Sequence, residues 1–487
     1  MGAVPAGGAR PRRPGRRKLA PALAAALAVV VGGALGFALA PAVIPLVARP
    51  YADAGPVGKA LRAQLADRPA SDPVAAFYAA RGYRPLWTAT GAVSPEAGAL
   101  VATLNGAAQD DLSPADYRPQ ALARAVAAAN SGKPAALARA EIALSTAYAG
   151  YVRDLHHPLP AAEMAFVDPA VPIASQDAGA ILAEAARAPS LAAALADATR
   201  MNPIYVELRG ALAAQRRKGG DSALAERLSL NLERARALPA KLGRRYILVN
   251  PAAQTLWLYE NGQATDQMRV VVGKPAEPTP AMIGLIRYAV VDPYWNVPPD
   301  LARDGVAPKV LAEGPAYLAA HQLQAMSSFA PDATPVPPES VDWAAVASGR
   351  LAIRMRQLPG PGNMMGKLKF VLPNPLGVYL HDTPNKALFA GDQRTDSSGC
   401  VRLSNAEELA TRLFGHPLAS DPAAGGGQHV DLTDPVPVYV LYLTAQPGAD
   451  GRIALYPDVY GRDPWVVKAM SYRSISQARA PAPASAQ

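Results

Sequence analysis

The sequence predicts an α+β protein: an N-terminal membrane helix, an α-helical domain, and a β-rich domain carrying a long insertion. Three observations carry this. Residues 19–48 contain no charged side chain. Between about 70 and 240, Ala/Leu-rich stretches repeat at helical spacing. From Arg245 onward, short β-branched and aromatic runs alternate with turn pairs.

The first element is the apolar run. Leu19–Ala40 alone supplies about the 20 residues that span a bilayer as a helix. Six basic residues and no acid precede it, so residues 1–18 should stay cytoplasmic, with everything after residue 49 outside. The rival is a cleaved signal, because Ala38-Leu39-Ala40 has the small-x-small form, although Pro41 is a poor cleavage context. Arg16-Arg17 invites a twin-arginine reading that its flanks do not support. Of the net charge of +9, the tail holds +6, leaving +3 over the remaining 469 residues. That near-balance excludes a basic nucleic-acid face. A single cysteine among 487 residues excludes an intrachain disulfide framework and any multi-cysteine metal site.

Residues 49–69 read as a tether with some helical character. Helix starts follow at Ser71-Asp72-Pro73, Ser94-Pro95-Glu96 and Ser113-Pro114-Ala115-Asp116, where a hydroxyl can cap free amides and Pro suits the first turn. Helical patterns run at about 134–155, 177–198, 202–217 and 222–238, making 70–240 a helical domain. His156-His157 lies within it, without further ligands at metal-site spacing, so a loop or packing role is expected.

The β-rich domain spans 241–448. Tyr246–Val249 and Thr255–Tyr259 read as a hairpin across Asn250-Pro251, and Asn261-Gly262 turns into Met268–Val272. Further strand candidates are 284–291, 351–356, 367–372, 377–381 and 436–444. A Pro-rich insertion at about 299–365 is long enough to be a lid. Residues 449–473 form a C-terminal extension, and 474–487, rich in Ala, Pro and Ser, a disordered tail.

The chemistry concentrates around the lone thiol in Ser397-Ser398-Gly399-Cys400-Val401-Arg402-Leu403. Gly399 permits close backbone approach, and amides at such a turn can hold an oxyanion. Arg402 is a nearby cation for a thiolate or a carboxylate. Nineteen residues upstream, Val378-Tyr379-Leu380-His381-Asp382-Thr383 ends an apolar strand, so thiol and imidazole on neighbouring strands would form a nucleophile pair. The plain alternative, a buried free thiol and an unrelated histidine, stays open on spacing alone.

Tyr379-Leu380-His381-Asp382-Thr383-Pro384 followed by Ser397-Ser398-Gly399-Cys400-Val401-Arg402 resembles the active-site signature of the L,D-transpeptidase family of peptidoglycan enzymes. Phe77–Trp87, Asn231-Leu232-Glu233-Arg234 and Tyr294-Trp295-Asn296-Val297-Pro298-Pro299 resemble its large, membrane-anchored periplasmic branch, with a helical scaffold domain before the catalytic one. The resemblance covers roughly 70–470. It implies that Cys400 attacks the diaminopimelate–D-Ala bond of a tetrapeptide stem with His381 as base. The Asp382 backbone carbonyl would orient the imidazole, with the Gly399 and Cys400 amides and Tyr379 as oxyanion donors. Arg402, Trp295, Ser397 and Arg394 are implied as substrate-side residues. No cofactor and no metal are expected. The implied partners are stem peptides, the inner membrane and cell-wall synthases. Hydrolysis to tripeptides, attachment of a protein to the wall, and a silent wall-binding scaffold remain as alternatives. Two departures stand out. Ser398 replaces a His common in the family, and Lys218 runs almost directly into Leu224 where large members carry a peptidoglycan-binding module.

Overall fold

The structure, a computed structural model, describes residues 54–479 apart from 422, 424 and 449, and not the side chains of 474–479. The expected cytoplasmic tail and membrane anchor, the first residues of the expected tether and 480–487 lie outside the described residues. Among the described residues no helix is long and apolar enough to cross a membrane.

The scaffold is helical: α1 Gly55–Leu65, α2 Pro73–Ala80, α3 Glu96–Asn105, α4 Pro114–Tyr117, α5 Pro119–Ala129, α6 Pro134–His156, α7 Ala178–Arg187, α8 Leu191–Ala198, α9 Pro203–Arg217 and α10 Ser222–Ala235. A small hairpin, β1 Thr88–Ala89 and β2 Ala92–Val93, interrupts it. Three expectations are corrected here. Residues 55–65 are no tether, because Leu61 is fully buried in the scaffold core. The cap before Pro73 is the Asp72 carboxylate, which accepts from Val74 and Ala75 amides, while Ser94 and Ser113 make no capping bond. The 177–198 pattern breaks at Pro189, which cannot donate within a helix.

The β-rich domain is a mixed sheet. Its strands are β4 Arg245–Asn250, β5 Thr255–Glu260, β6 Gln263–Val271, β7 Met282–Val291, β12 Leu368–Val371, β13 Leu380–His381, β14 Val401–Leu403 and β15 Gln428–Val440. Asn261 and Gly262 both have positive φ, the two-residue turn that an Asn-Gly pair favours. The scaffold supplies one strand of its own: β3 Ala165–Phe166 pairs in parallel with β7 at Met282 and Ile283. Arg287 of β7 clamps Asp168 just beyond it.

Both faces of the central strands are buried. Tyr246, Leu248, Ile283, Tyr439 and Leu441 join the scaffold's core, while Ile247, Val249, Met282, Val438 and Val440 join a second core. That second core is closed by α15 Ala406–Phe414 through Leu409, Ala410 and Leu413. Strands buried on both faces read as unbroken apolar runs, as Tyr246–Val249 does. The scaffold and the sheet therefore share one apolar core.

The insertion leaves after β7 and returns before β12, where the Asp292 amide donates to the Lys367 carbonyl at 2.9 Å. It holds β8 Trp295–Val297, β9 Leu323–Met326, β10 Pro335–Val336 and β11 Met355–Gln357 in one antiparallel sheet. With them go the short helices α11 Pro299–Leu301, α12 Ala307–Glu313, α13 Ala316–Ala320 and α14 Trp343–Ala347. Val297, Val310, Leu323, Trp343, Val346 and Met355 give it a core of its own. It is a small subdomain. Residues 351–354, expected as strand, lie outside β11, and 428–435, unassigned from sequence, open β15.

After the sheet come β16 Ala445–Pro447, β17 Ile453–Leu455 and α16 Asp463–Arg479, so the disorder expected from 474 does not begin there. This extension docks on α10. Asn231 bonds the Thr444 hydroxyl and amide, and Arg234 pairs with Asp463. Glu233, 1% exposed, accepts from the Leu159 amide, from Arg236 and from Arg473. Arg236 is fully buried, so this carboxylate is the counter-charge that lets it stay. Glu233→Ala should cost about 3–5 kcal/mol, the usual loss when one partner of a buried pair is removed. An unfolding free energy from urea titration within about 1 kcal/mol of the parent would show that the remaining carbonyls and the Tyr205 hydroxyl suffice.

Candidate active site

A parallel strand pair brings the thiol and the imidazole to neighbouring strand ends, where the Cys400 thiol itself donates to the Gly377 carbonyl at 3.5 Å. In β13 and β14, Leu380 lies opposite Val401 and His381 opposite Arg402. On its other edge β13 pairs with β12, setting Lys369 opposite His381. Three adjacent strands thus place Lys369, His381 and Arg402 in one lateral row. Leu380, Val401, Leu403 and Phe370 point the other way, into the second core. Cys400 and Tyr379 occupy the positions just before β14 and β13, where the Val401 amide donates to the Tyr379 carbonyl at 2.9 Å. Tyr379 lies outside the strand, and the Lys369 ammonium sits 3.6 Å from its ring centroid.

The imidazole is fixed. His381 is 4% exposed, and its Nδ1 lies 2.6 Å from the Asp382 carbonyl oxygen. A carbonyl only accepts, so Nδ1 carries the proton and Nε2 is left as the base. The Asp382 carboxylate turns away, bonding the Lys386 ammonium and the Lys367 amide. Gly366, with φ of 62°, lies so close to that carboxylate that any Cβ would overlap it.

Electrostatics decide the resting state. Burial pushes the His381 pKa down to about 4; the Asp382 carbonyl opposes this, and Arg402 and Lys369 add to it. Burial raises the Cys400 thiol, against the lowering pull of Tyr379 backbone hydrogen bonding, Lys369 and Arg402. At neutral pH the pair therefore rests as thiol and neutral imidazole, so the proton moves during attack rather than before it. The Arg402 Nε is buried without a partner, and burial lowers the guanidinium pKa.

The turn before the thiol is braced from several sides. Gly399 has φ of 101°, a region glycine reaches without strain. Its amide donates to Ser397 Oγ at 3.2 Å, and Ser397 Oγ donates to the Cys400 carbonyl. Its carbonyl accepts from Thr279 Oγ1 at 2.9 Å, and Thr279 Oγ1 accepts from the Gly273 amide at 2.9 Å. Tyr460, from the C-terminal extension, donates to the Gly273 carbonyl at 2.8 Å and accepts from the Thr279 amide at 3.3 Å. Ser398 hydrogen-bonds Glu277 on the same loop.

Several residues expected on the substrate side are placed elsewhere. Arg394 is 6% exposed and spends its guanidinium on the Val270, Gln254, Gly391 and Asp392 carbonyls, so it clamps the loop. Ser397 ties the turn. Trp295 pairs with Gln357 in the insertion's sheet and packs on that subdomain's core. His156 Nε2 lies 2.8 Å from the Ala198 carbonyl, a packing role. Sequence reasoning missed Lys369, Thr279 and Tyr460. Only Lys369 carried a signal, as the one charged residue facing out of the Leu368–Val371 strand.

Two cavities flank the domain. One of about 640 Å³ lies behind the Asp382–Lys386 loop, with Gly360 and Gly366 of the insertion on its wall. The other, about 1190 Å³, lies within the scaffold between Tyr148, His157, Arg187 and Lys241.

A thiol beside a carbonyl-oriented imidazole defines a site of the cysteine–histidine type, suited to covalent transfer of an acyl group. Residues 244–438 match the L,D-transpeptidase catalytic domain, and residues 72–212 match the scaffold domain. A Haemophilus influenzae protein provisionally named an L,D-transpeptidase is 32% identical over 253 residues, covering 50% of this chain and 49% of the relative. The chain thus spans about half the length of that relative. Among solved structures, an Enterococcus faecium L,D-transpeptidase variant is 16% identical over 42% of this chain and 52% of its own, with a TM-score of 0.21. A Mycobacterium smegmatis L,D-transpeptidase is 14% identical over 40% and 58%, with a TM-score of 0.19. The chain thus carries an L,D-transpeptidase catalytic domain, with a scaffold domain preceding it.

Two outcomes follow from this geometry. With a native pKa near 4 against 6.5, His381 leaves the unfolded chain binding the extra proton, so its contribution is absent above pH 6.5. Stability should fall as pH drops from about 6.5 to about 4, by about 3 kcal/mol in total, and His381→Gln should lack that component. Equal slopes for both proteins in urea titrations across that window would contradict the buried neutral imidazole. Tyr460→Phe should keep the fold yet loosen Thr279 and Gly399. Misplacing the turn should slow acylation of Cys400 roughly tenfold to hundredfold. Unchanged acylation kinetics with an unchanged melting curve would remove Tyr460 from the brace.

Proposed function

We propose that this chain is a peptidoglycan L,D-transpeptidase, held at the inner membrane by its N-terminal apolar run with its body in the periplasm. The observation that carries the reading is the fixed His381 tautomer beside the only cysteine, on adjacent parallel strands. In this reaction His381 Nε2 takes the Cys400 proton as Sγ attacks the diaminopimelyl carbonyl of a tetrapeptide stem. The oxyanion is met by the Cys400 amide and by the Gly399 amide once it leaves Ser397 Oγ, with Tyr379 beside them. The protonated imidazole then returns its proton to the departing D-Ala amine, leaving a thioester on Cys400. The side-chain amine of a second diaminopimelate attacks that thioester, His381 again accepting the proton, and the cross-link leaves as the thiol is restored. Arg402, with no acceptor on its Nε, is the candidate grip for a stem carboxylate.

Incubating purified protein with diaminopimelate-containing tetrapeptide should give free D-Ala, a thioester adduct on Cys400 by intact mass, and a cross-linked dimer. Tripeptide without dimer would make the enzyme a carboxypeptidase instead. Cys400→Ala should abolish every product while leaving the melting curve within a degree or two of the parent. D-Ala release by that variant would overturn the assignment.

A further inference from the structure

The lateral row beside Cys400 contains one residue that the reaction above leaves unused. Lys369 lies half-buried in the middle of β12, opposite His381, with its ammonium over the Tyr379 ring. Among the described residues no carboxylate lies within ion-pair distance of it, whereas Lys367 and Lys386 nearby pair with Glu407 and Asp382. A buried cation without a partner is costly unless an anion forms beside it. The groups facing this corner are few. His381 and Tyr379 come from β13 and the residue before it, Arg402 from β14, and Tyr288 from β7 beside Tyr379. Asp396 acts on Arg402, and Asp382 is turned toward Lys386. None places a permanent negative charge on Lys369. The one ionisable group that does couple to it favourably is the Cys400 thiol.

We propose that Lys369 is a positioning residue for the reaction, the fixed counter-charge that stabilises the Cys400 thiolate as it forms while keeping its neighbour His381 unprotonated and able to act as base. The role rests on the assignment of Cys400 as nucleophile. Arg402 flanks the imidazole from the other strand, so the row is a cation on each side of a neutral base. Such an arrangement disfavours imidazolium before attack and favours thiolate during it. Tyr379 then has a second use, as the aromatic face that partly solvates the ammonium while the site is empty.

The sign of one shift tests this. Removing a cation raises the thiol pKa, because the thiolate loses its counter-charge. Loosening the packing and admitting water lowers it, because burial is what raised it. Both changes raise the imidazole pKa, so the thiol is the discriminating group. The chain has one cysteine, so the pH dependence of iodoacetamide alkylation reports Cys400 alone. Lys369→Met, and separately Lys369→Gln, should move the alkylation inflection up by about one pH unit, the low end for an adjacent opposite charge. Lys369→Arg should return it most of the way. The melting temperature of Lys369→Met should not fall, since an unpaired buried cation is being replaced by an apolar side chain of similar length. An inflection that stays put or moves down in both neutral variants would overturn the proposal, as would Lys369→Arg behaving like Lys369→Met. Alkylation needs no stem peptide. A parent that titrates normally but releases no D-Ala would therefore sink the transpeptidase reading while leaving this one standing.

Discussion

The parallel pairing of β13 with β14 is the constraint on which the site depends. Parallel strands run in step, so the residue before each strand and the residue within it line up across the pair. That brings Cys400 beside Tyr379, and Arg402 beside His381. A slip of one residue would turn every side chain to the opposite face, sending the imidazole into the second core and Leu380 toward solvent. The register is pinned by apolar burial: Leu380, Val401 and Leu403 are each fully buried on the far side. Burying three such side chains is worth several kcal/mol, at about 1.5–3 kcal/mol each. No slip survives that cost. The chemistry on one face is therefore set by the packing on the other.

The turn that presents the thiol is held less by its own sequence than by distant chain. Gly399 is tied to Thr279, Thr279 to Gly273 and Tyr460, and the Tyr460 amide donates to the Tyr442 hydroxyl, beneath which its ring also stacks. Arg234 of the scaffold helix α10 lies over the Tyr442 ring and pairs with Asp463. A continuous run of hydrogen bonds and ring contacts thus leads from helix α10 to the turn before Cys400. Residues 222–235 and 442–463 consequently belong to the working domain, although they lie outside the stretch matching the catalytic family. The shared apolar core under β4, β7 and β15 gives that run a rigid footing.

What the sequence made legible was whatever depends on local periodicity or on a short motif. The helices from α6 to α10 and the hairpin across Asn261-Gly262 follow from spacing and turn chemistry. Cys400, His381 and the Asp382 carbonyl sit within two short motifs, and His381 Nδ1 lies 2.6 Å from that carbonyl. What stayed hidden depends on partners far away in sequence. Ser397 and Arg394 looked like substrate residues by adjacency to the thiol, but adjacency along a chain says nothing of what a guanidinium reaches. Arg394 reaches Gln254, 140 residues upstream. The two-residue strand β3 has no periodicity to read, and only its partner Met282–Ile283 makes it a strand. Lys369 was visible as a charge in a strand, but its meaning needed the register.

The insertion's attachment to the sheet is local. It joins at the Asp292–Lys367 backbone bond, immediately beyond the last ladder position where Val291 faces Leu368, and Asp292 also accepts from the Gly427 amide at 2.7 Å. From that position β12 is paired along four residues with β7 and along two with β13, so Lys369 is held on both edges. The subdomain closes its own core around Val310, Trp343 and Met355, and among the described residues no side-chain hydrogen bond of His381 or Cys400 runs to it. It packs as a unit beyond residues 292 and 367, outside the ladder that carries Lys369 and His381. The fold thus separates the row of Lys369, His381 and Arg402, held by strand pairing, from a subdomain with a core of its own. Groups that must meet a reacting atom tolerate little displacement, and here their register depends on the ladder rather than on the subdomain.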